Sequence, residues 1–276
     1  MASDMHIHTA FSDGNFMPEE ILRQARDAGL DYIAITDHDT IDGIRYMYER
    51  GFYPSKGIGI IPGIEFSSNR LGHEVHILGY NINIFNQQLI DALNEVAEAR
   101  WVRFSTMLEK IKEQGFSVTE AEVLKVAGTS HSVGRSHIAR VMVKKGFFPD
   151  IRTVFSELLS PGKPAYVANF RLSPEEIVNI ILQAGGIPVL AHPKLVGDDS
   201  LVESLLELDF GGLEVFYPQH DENDTERYTK FARDRGLHLT GGSDFHGIPG
   251  RYPENLGEFI IDDDYAKFVY KIGGFD

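Results

Sequence analysis

Two histidines separated by a single residue stand almost at the start of this chain. In MHIHTAFSDG, residues 5–14, His6 and His8 are followed by Asp13 five positions later. Residues i and i+2 of a strand point to the same face. If Met5 to His8 is extended, both imidazoles enter one space, and Asp13 can return to it from the next loop. Donors of the same kind recur along the chain: His38 in ITDHDT, Glu65 in PGIEFSS, His76 in EVHILGY, His192 in VLAHP, and Asp244 with His246 in GGSDFHG. A lone histidine after a strand is usually a core or capping residue. Six histidines and three acids at successive strand ends are not explained that way. The chain has no cysteine, so a transition metal must be held by imidazole and carboxylate. Such donors suit Mn²⁺ first, then Zn²⁺, Fe²⁺ or Mg²⁺. Nine donors exceed the coordination of one ion and point to two or three divalent ions, with Glu65 able to bridge. Clustered ions acidify a shared water and neutralise phosphoryl oxygens during in-line displacement.

The elements that must position these residues follow a strand–helix rhythm. PEEILRQARDAGL, from Pro18 to Leu30, has proline at a helix start, acids in the first turn and glycine near its end. Short apolar runs such as YIAIT and GIGIIPGI stop in polar residues at their carboxyl ends, where parallel α/β folds build their sites. From 87 to 160 the pattern turns helical, and strand–helix alternation resumes with SPEEIVNIILQAGG, IPVLAHP, GGLEVFYP and LHLTGGSDFHG. The expected fold is therefore α/β, a mostly parallel sheet closed into a barrel. Residues 1–86 and 165–276 would form the barrel, and 87–164 an inserted helical cap.

Charge and hydropathy narrow the function classes. The net charge of −15 argues against binding along extended duplex nucleic acid. The distribution is uneven: Arg100 to Pro164 carries eleven Lys or Arg against six Asp or Glu, leaving the remainder at −20. That basic stretch is either a solvated helical face or a local attractor for a small anion. No apolar run approaches the ~20 residues that span a bilayer, and no basic-then-apolar leader opens the chain. A cytoplasmic location without membrane association is the expectation.

Taken in order, HIHTAFSDG, ITDHDT, PGIEFSS, EVHILGY, VLAHP and GGSDFHG resemble the motif set of the PHP (polymerase and histidinol phosphatase) family of metal-dependent phosphoesterases. The resemblance implies a distorted (β/α)7 barrel with a trinuclear centre at its C-terminal face. It implies His6, His8, Asp13, His38, Glu65, His76, His192, Asp244 and His246 as ligands. His6, His8, Glu65 and Asp244 would hold one ion, Glu65, His76 and His192 a second, and Asp13, His38 and His246 a third. Asp13, His38, Glu65 and His192 are the residues expected to matter most directly to catalysis, through attack by a metal-bridged hydroxide. GRSHIARVMVKKG, GKPAYV and SPEEIVNIILQAGG are similar to a capped bacterial branch of the family. That branch acts on 3′,5′-bisphosphonucleosides, AMP or short 5′-phosphorylated oligonucleotides.

Within the helical segment, Arg135 and His137 fall in the first turn of a helix, where backbone N–H groups favour an anion, and a guanidinium fork suits phosphate. They are the candidate substrate contacts; the alternative is ordinary surface placement. Ile138, Val141 and Met142 read as core, as does Trp101, the single tryptophan. His131 is a candidate to line the cap side of the pocket. His73 is more plausibly a loop residue than a ligand, and His220 and His238 surface or structural residues. Asp37 and Asp39 flank His38 and are expected to orient ligating imidazoles. Competing readings are a phosphatase of histidinol phosphate or another small phosphate ester, an amidohydrolase on a similar barrel, and a phosphate-binding regulatory module. The number of subunits is not encoded in any of these motifs.

Overall fold

The structure, a computed structural model, describes residues 2–128, 133–168 and 172–272. The chain divides into two compact units, Met1–Leu93 with Arg171–Asp276, and Asn94–Phe170.

The first unit is built on one sheet. Its strands are β1 (Ala2–Ile7), β2 (Leu30–Ile35), β3 (Gly59–Arg70), β4 (His73–Tyr80), β5 (Ile187–Leu190), β6 (Gly212–Phe216), β7 (His238–Gly241) and the two-residue β8 (Ile261–Asp262). They lie in the order β7-β6-β5-β4-β3-β2-β1-β8. Helices α1 (Pro18–Asp27), α2 (Asp42–Glu49), α7 (Pro174–Gln183), α8 (Asp199–Leu205), α9 (Glu222–Asp234) and α10 (Asp263–Ile272) connect or follow the strands. Their starts are written in the sequence. Pro18 begins α1, with Glu19 and Glu20 in its first turn and Ile21, Leu22 and Ala25 buried. Ser173 caps α7 reciprocally with Glu176, which satisfies N–H groups that a helix start otherwise leaves open.

The sheet curls until its ends meet. The His8 amide donates to the Phe245 carbonyl at 2.9 Å, and the Phe245 amide to the His6 carbonyl at 3.2 Å. Buried Asp4 reinforces this seam, accepting from the backbone of His6 and from both the amide and hydroxyl of Ser243. The result is a nearly closed, distorted barrel. Met5, Ala34, Ile61, Leu78, Tyr80 and Val189 pack within one core, against which α10 places Ala266 and Val269.

Two strands depart from the parallel rhythm: the short β8 pairs antiparallel with β1, and β4 is the longer case. β4 runs antiparallel to both β3 and β5. The cause is the Leu71–Gly72 loop, whose residues both have positive φ, 54° and 89°. A two-residue loop of that kind closes a hairpin, whereas a parallel neighbour needs a long crossover. The reversal brings the N-terminal half of β4, with His76, to the carboxyl end of β3.

The second unit is helical. It contains α3 (Gln87–Glu113) from Asn94 onward, α4 (Glu120–Ala127), α5 (Arg135–Lys144), α6 (Ile151–Val154) and a π-helical turn, Phe155–Leu159. It has its own core, in which Phe104, Met107, Ile111, Ile138, Met142 and Leu158 pack together. Ile138, Val141 and Met142 are buried, but Trp101 is 43% exposed. The expectation for the tryptophan is corrected: its ring tilts against Phe104 at 5.4 Å from the rim of that core. Among the described residues, no helix is long and apolar enough to cross a membrane.

Candidate metal centre

At the carboxyl ends of the strands, the nine residues singled out by the motifs converge. Glu65 of β3 is completely buried and lies at the middle. Its Oε1 is 2.8 Å from His76 Nδ1 and 3.1 Å from His192 Nε2. Its Oε2 is 3.0 Å from His38 Nδ1, 3.2 Å from His8 Nε2 and 3.3 Å from His6 Nε2. Asp244 Oδ1 is 3.1 Å from His8 Nε2 and 3.7 Å from His6 Nε2. Asp13 Oδ1 is 3.1 Å from His246 Nε2 and 3.9 Å from His8 Nδ1. Three sets of donor atoms each fall within 4.8 Å of one another: His6, His8, Glu65 and Asp244; His8, Asp13, His38 and His246; and His38, Glu65 and His76.

Glu65 Oε1 hydrogen-bonds to His76 and His192, but the other contacts are not ordinary hydrogen bonds. His6 Nε2, both nitrogens of His8, His38 Nδ1, Asp13 Oδ1 and Glu65 Oε2 are buried without a hydrogen-bond partner. An unsatisfied buried polar atom costs about 1–3 kcal/mol, so six in one cluster call for a different partner. Lone pairs from imidazole and carboxylate aimed at shared points are what a divalent cation satisfies. The residues fit such ions.

Local backbone geometry serves this convergence. His192 and Asp244 adopt positive φ, 24° and 54°, as does Asp39 at 51°, in a region non-glycine residues occupy sparingly. The Ala191 amide is held by the His76 carbonyl at 3.1 Å, so the ends of β4 and β5 present their imidazoles side by side. The loop carrying Asp13 is anchored by Asp37, which accepts from the Thr9 amide and hydroxyl and from the Ser12 hydroxyl at 2.5–2.7 Å. Asp37 thus holds a ligand-bearing loop, a different task from orienting a ring. Asp39 accepts from the Ser67 amide at 2.8 Å, tying the end of β2 to β3.

Charge balance in the cluster is set by opposing effects. Burial disfavours the imidazolium forms of His6, His8, His38 and His76, yet Asp244 and Glu65 outweigh it at His8 and raise it to about 9. Glu65 and Glu74 likewise raise His76 to about 10. His38 is lowered to about 4, since burial and the facing His8 and His76 prevail over Glu65 and Asp13. Against their own burial, Asp13, Glu65 and Asp244 are all held well below the usual carboxylate range by the surrounding imidazoles. The carboxylates are therefore ready donors, and protons on His8 and His76 must leave before a metal enters.

The cluster is open on one side. His6, His8 and Glu65 have no exposed side-chain surface, whereas His76, His38 and Asp13 are 18%, 19% and 36% exposed. Substrate must approach along that edge.

Several functional neighbours escaped the motif reading. Buried Glu214 of β6 accepts from His6 Nδ1 at 2.9 Å and from the His192 amide at 2.8 Å. Arg251 donates to Asp244 Oδ2 at 2.7 Å, and the Tyr217 hydroxyl donates to the same oxygen at 3.2 Å. Asp4, at the barrel seam, is pushed up to about 6 by its burial. Glu214, Tyr217 and Arg251 share no spacing with the motif residues that would have marked them, whereas Asp4 stands two residues before His6, on the period that joins His6 to His8. His73 instead places Nδ1 2.7 Å from the Val196 carbonyl, and His220 likewise contacts the Val215 carbonyl at 2.8 Å. In the helical unit, the Arg135 guanidinium lies 5.6 Å from the Phe155 ring centroid. His137 is buried there, its Nδ1 accepting from the Gly134 amide at 3.2 Å. His131 lies outside the described residues.

Comparison with known proteins then decides the class. The PHP domain pattern matches residues 4–160. The chain belongs to the PHP family. It is 32% identical, over 92% of its length and 90% of the relative's, to the 3′,5′-nucleoside bisphosphate phosphatase of Chromobacterium violaceum. It is 30% identical to the phosphoribosyl 1,2-cyclic phosphate 1,2-diphosphodiesterase of Eggerthella lenta, over 92% and 97% of the two chains. With the 5′-3′ exoribonuclease Rnm of Escherichia coli it shares 31% identity over 88% and 84%. A solved structure from Bifidobacterium adolescentis, described as that of a metal-dependent phosphoesterase, superposes with a TM-score of 0.84 at 29% identity, covering 98% and 96%. This PHP protein is a metal-dependent phosphoesterase, a phosphoric ester hydrolase.

Proposed function

We propose that this PHP phosphoesterase hydrolyses nucleotide phosphate esters: a 3′,5′-bisphosphonucleoside, AMP, or a short 5′-phosphorylated oligonucleotide. The observation that carries the reading is the buried nine-residue cluster in a chain similar over about nine-tenths of its length to a nucleoside bisphosphate phosphatase. His6, His8, Asp13, His38, Glu65, His76, His192, Asp244 and His246 are the proposed ligands of two or three divalent ions, with Mn²⁺ the preferred occupant. When bound, such ions supply an acidified water and neutralise phosphoryl oxygens. The side chains do the rest. Glu65 offers its two oxygens to different sides of the cluster, so one carboxylate links the subsites. Asp13 and His38 are the proposed ligands on the exposed edge, the side from which a phosphate group would enter. Arg135 and His137 of the helical unit are proposed as further substrate contacts. The chemistry suits a cytoplasmic enzyme of nucleotide turnover.

The Eggerthella relative, named for a cyclic phosphate ester, favours a second reading in which a phosphodiester of a sugar phosphate is opened. Mn²⁺-loaded protein should be assayed separately on adenosine 3′,5′-bisphosphate, AMP, a 5′-phosphorylated RNA tetramer, phosphoribosyl 1,2-cyclic phosphate and histidinol phosphate. Phosphate from the first two, or stepwise mononucleotides from the tetramer, supports the proposal. Turnover confined to the cyclic phosphate or to histidinol phosphate overturns it.

A further inference from the structure

Of strands β1 to β7, six carry at least one of the proposed ligands or lead directly into one, and β6 does not. Its one acid, Glu214, is fully buried in the run LEVF. An isolated carboxylate at such depth is costly unless its oxygens are engaged. Both are. Oε1 faces His6 Nδ1 at 2.9 Å, and Oε2 accepts from the His192 amide at 2.8 Å.

We propose that Glu214 is a shared positioning residue that prepares two metal subsites at once, His6 by its tautomer and His192 by its backbone. The inference rests on the ligand set proposed above. In the neutral ring that a metal requires, a carboxylate acceptor at Nδ1 holds the proton on that nitrogen, so the lone pair is on Nε2, the nitrogen that faces Glu65 and Asp244. The second oxygen acts differently. His192 sits at φ 24°, outside the comfortable backbone regions, and its ring must turn back so that Nε2 reaches Glu65 Oε1 at 3.1 Å. Holding its amide fixes that turn. Among the described residues, no hydrogen bond or ion pair joins Asp13, His38 or His246 to Glu214, so the third subsite is independent of it.

The geometry separates two substitutions. In Glu214→Gln, the amide has one oxygen. It can accept from His6 Nδ1–H or from the His192 amide, not from both. In Glu214→Ala, both supports go. Val215→Ala in the same strand is the control, since Val215 is buried but its side chain carries no polar support for a ligand.

Metal content after equilibrium dialysis against graded Mn²⁺, measured on protein whose fold is checked by circular dichroism, tests the assignment. Outer carboxylate partners of metal-bound histidines typically contribute about 10–100-fold in affinity. The expected result is a loss of that order in Glu214→Gln for part of the bound Mn²⁺. The loss should be larger in Glu214→Ala, with at least one ion retained in both, while Val215→Ala loads like wild type whatever its thermal stability. Folded Glu214→Gln and Glu214→Ala proteins that load as many ions as wild type, within about twofold in affinity, would overturn the assignment. So would equal loss in Val215→Ala, or equal weakening of every ion in the Glu214 variants, since either outcome marks a general structural effect. A wild-type protein that takes up no divalent ion would instead refute the ligand set beneath it.

Discussion

Glu65 is the residue on which the centre turns, with five imidazoles within 3.3 Å of its two oxygens. Glutamine has nearly the same shape but lacks the charge and one acceptor. Glu65→Gln should therefore fold and lose turnover. Since loss of an outer partner alone costs about 10–100-fold, loss of this direct contact should lower kcat/KM by roughly 10³-fold or more, as steady-state assays of metal-replete protein would show. The same cluster makes a prediction about protons. His8 and His76 lie at about 9 and 10 in the metal-free protein, above the ~6.5 of free histidine. Both are charged at pH 7, so adding Mn²⁺ in weak buffer should release protons, read directly with a pH electrode. The stability consequence has a definite sign. A raised histidine contributes stability to the folded state that is fully present below pH 6.5 and lost as pH rises through its folded value. Chelated protein should accordingly be easier to unfold in urea at pH 9.5 than at pH 7.

At the scale of elements, the barrel seam is the place where backbone and site meet. A Cβ built on Gly242 would lie 2.4 Å from both the backbone nitrogen and the Cβ of His6, and neither can swing away as a flexible side chain would. Gly242→Ala should push β1 from the end of β7, costing about 1–3 kcal/mol as overpacking does, and should weaken Mn²⁺ binding through His6. Thermal unfolding and metal content of the variant check both effects. The seam also shows what sequence could reveal. The proposed ligands stand in short motifs at or near strand ends, where type and spacing single them out: His6 and His8 by the two-residue period, Asp244 and His246 by the same spacing after a strand. Glu214 was silent because its partners are 208 and 22 residues away, and a lone acid in a strand has no period to break. The reversal of β4 was equally hidden by the expectation of parallel pairing, although Leu71–Gly72 is short enough to have signalled a hairpin. Asp37 flanks the proposed ligand His38, but its side-chain hydrogen bonds go to the Asp13 loop. Burial and hydrogen bonding across the barrel decide such roles, and neither is a local property of the chain.

Across the whole molecule, charge and stability are divided between the two units. From Asn94 to Phe170 there are eleven Lys or Arg and eight Asp or Glu, a net +3, which leaves −18 on the remaining chain. A phosphate ester approaching so acidic a barrel needs local positive charge, which divalent ions can supply. If Arg135 contributes to substrate binding, Arg135→Ala should raise KM by about tenfold or more, the order expected for a charge-assisted hydrogen bond of ~1.5–3 kcal/mol, with Mn²⁺ content unchanged. Stability should divide in the same way. All nine proposed ligands lie in the barrel unit, while the core around Phe104, Ile111, Ile138 and Met142 lies in the helical one. Mn²⁺ at 100 times its dissociation constant adds about 2.7 kcal/mol to the state that binds it. At roughly 2–4 °C per kcal/mol for a unit of this size, the barrel transition in calorimetry should rise by about 5–10 °C. Trp101, the only tryptophan and a member of the helical unit, reports the other core by its fluorescence. Its transition should move less than the calorimetric one on adding Mn²⁺. Equal shifts would mean that the two cores melt as one cooperative body, with metal at the strand ends stabilising helices that carry none of its ligands.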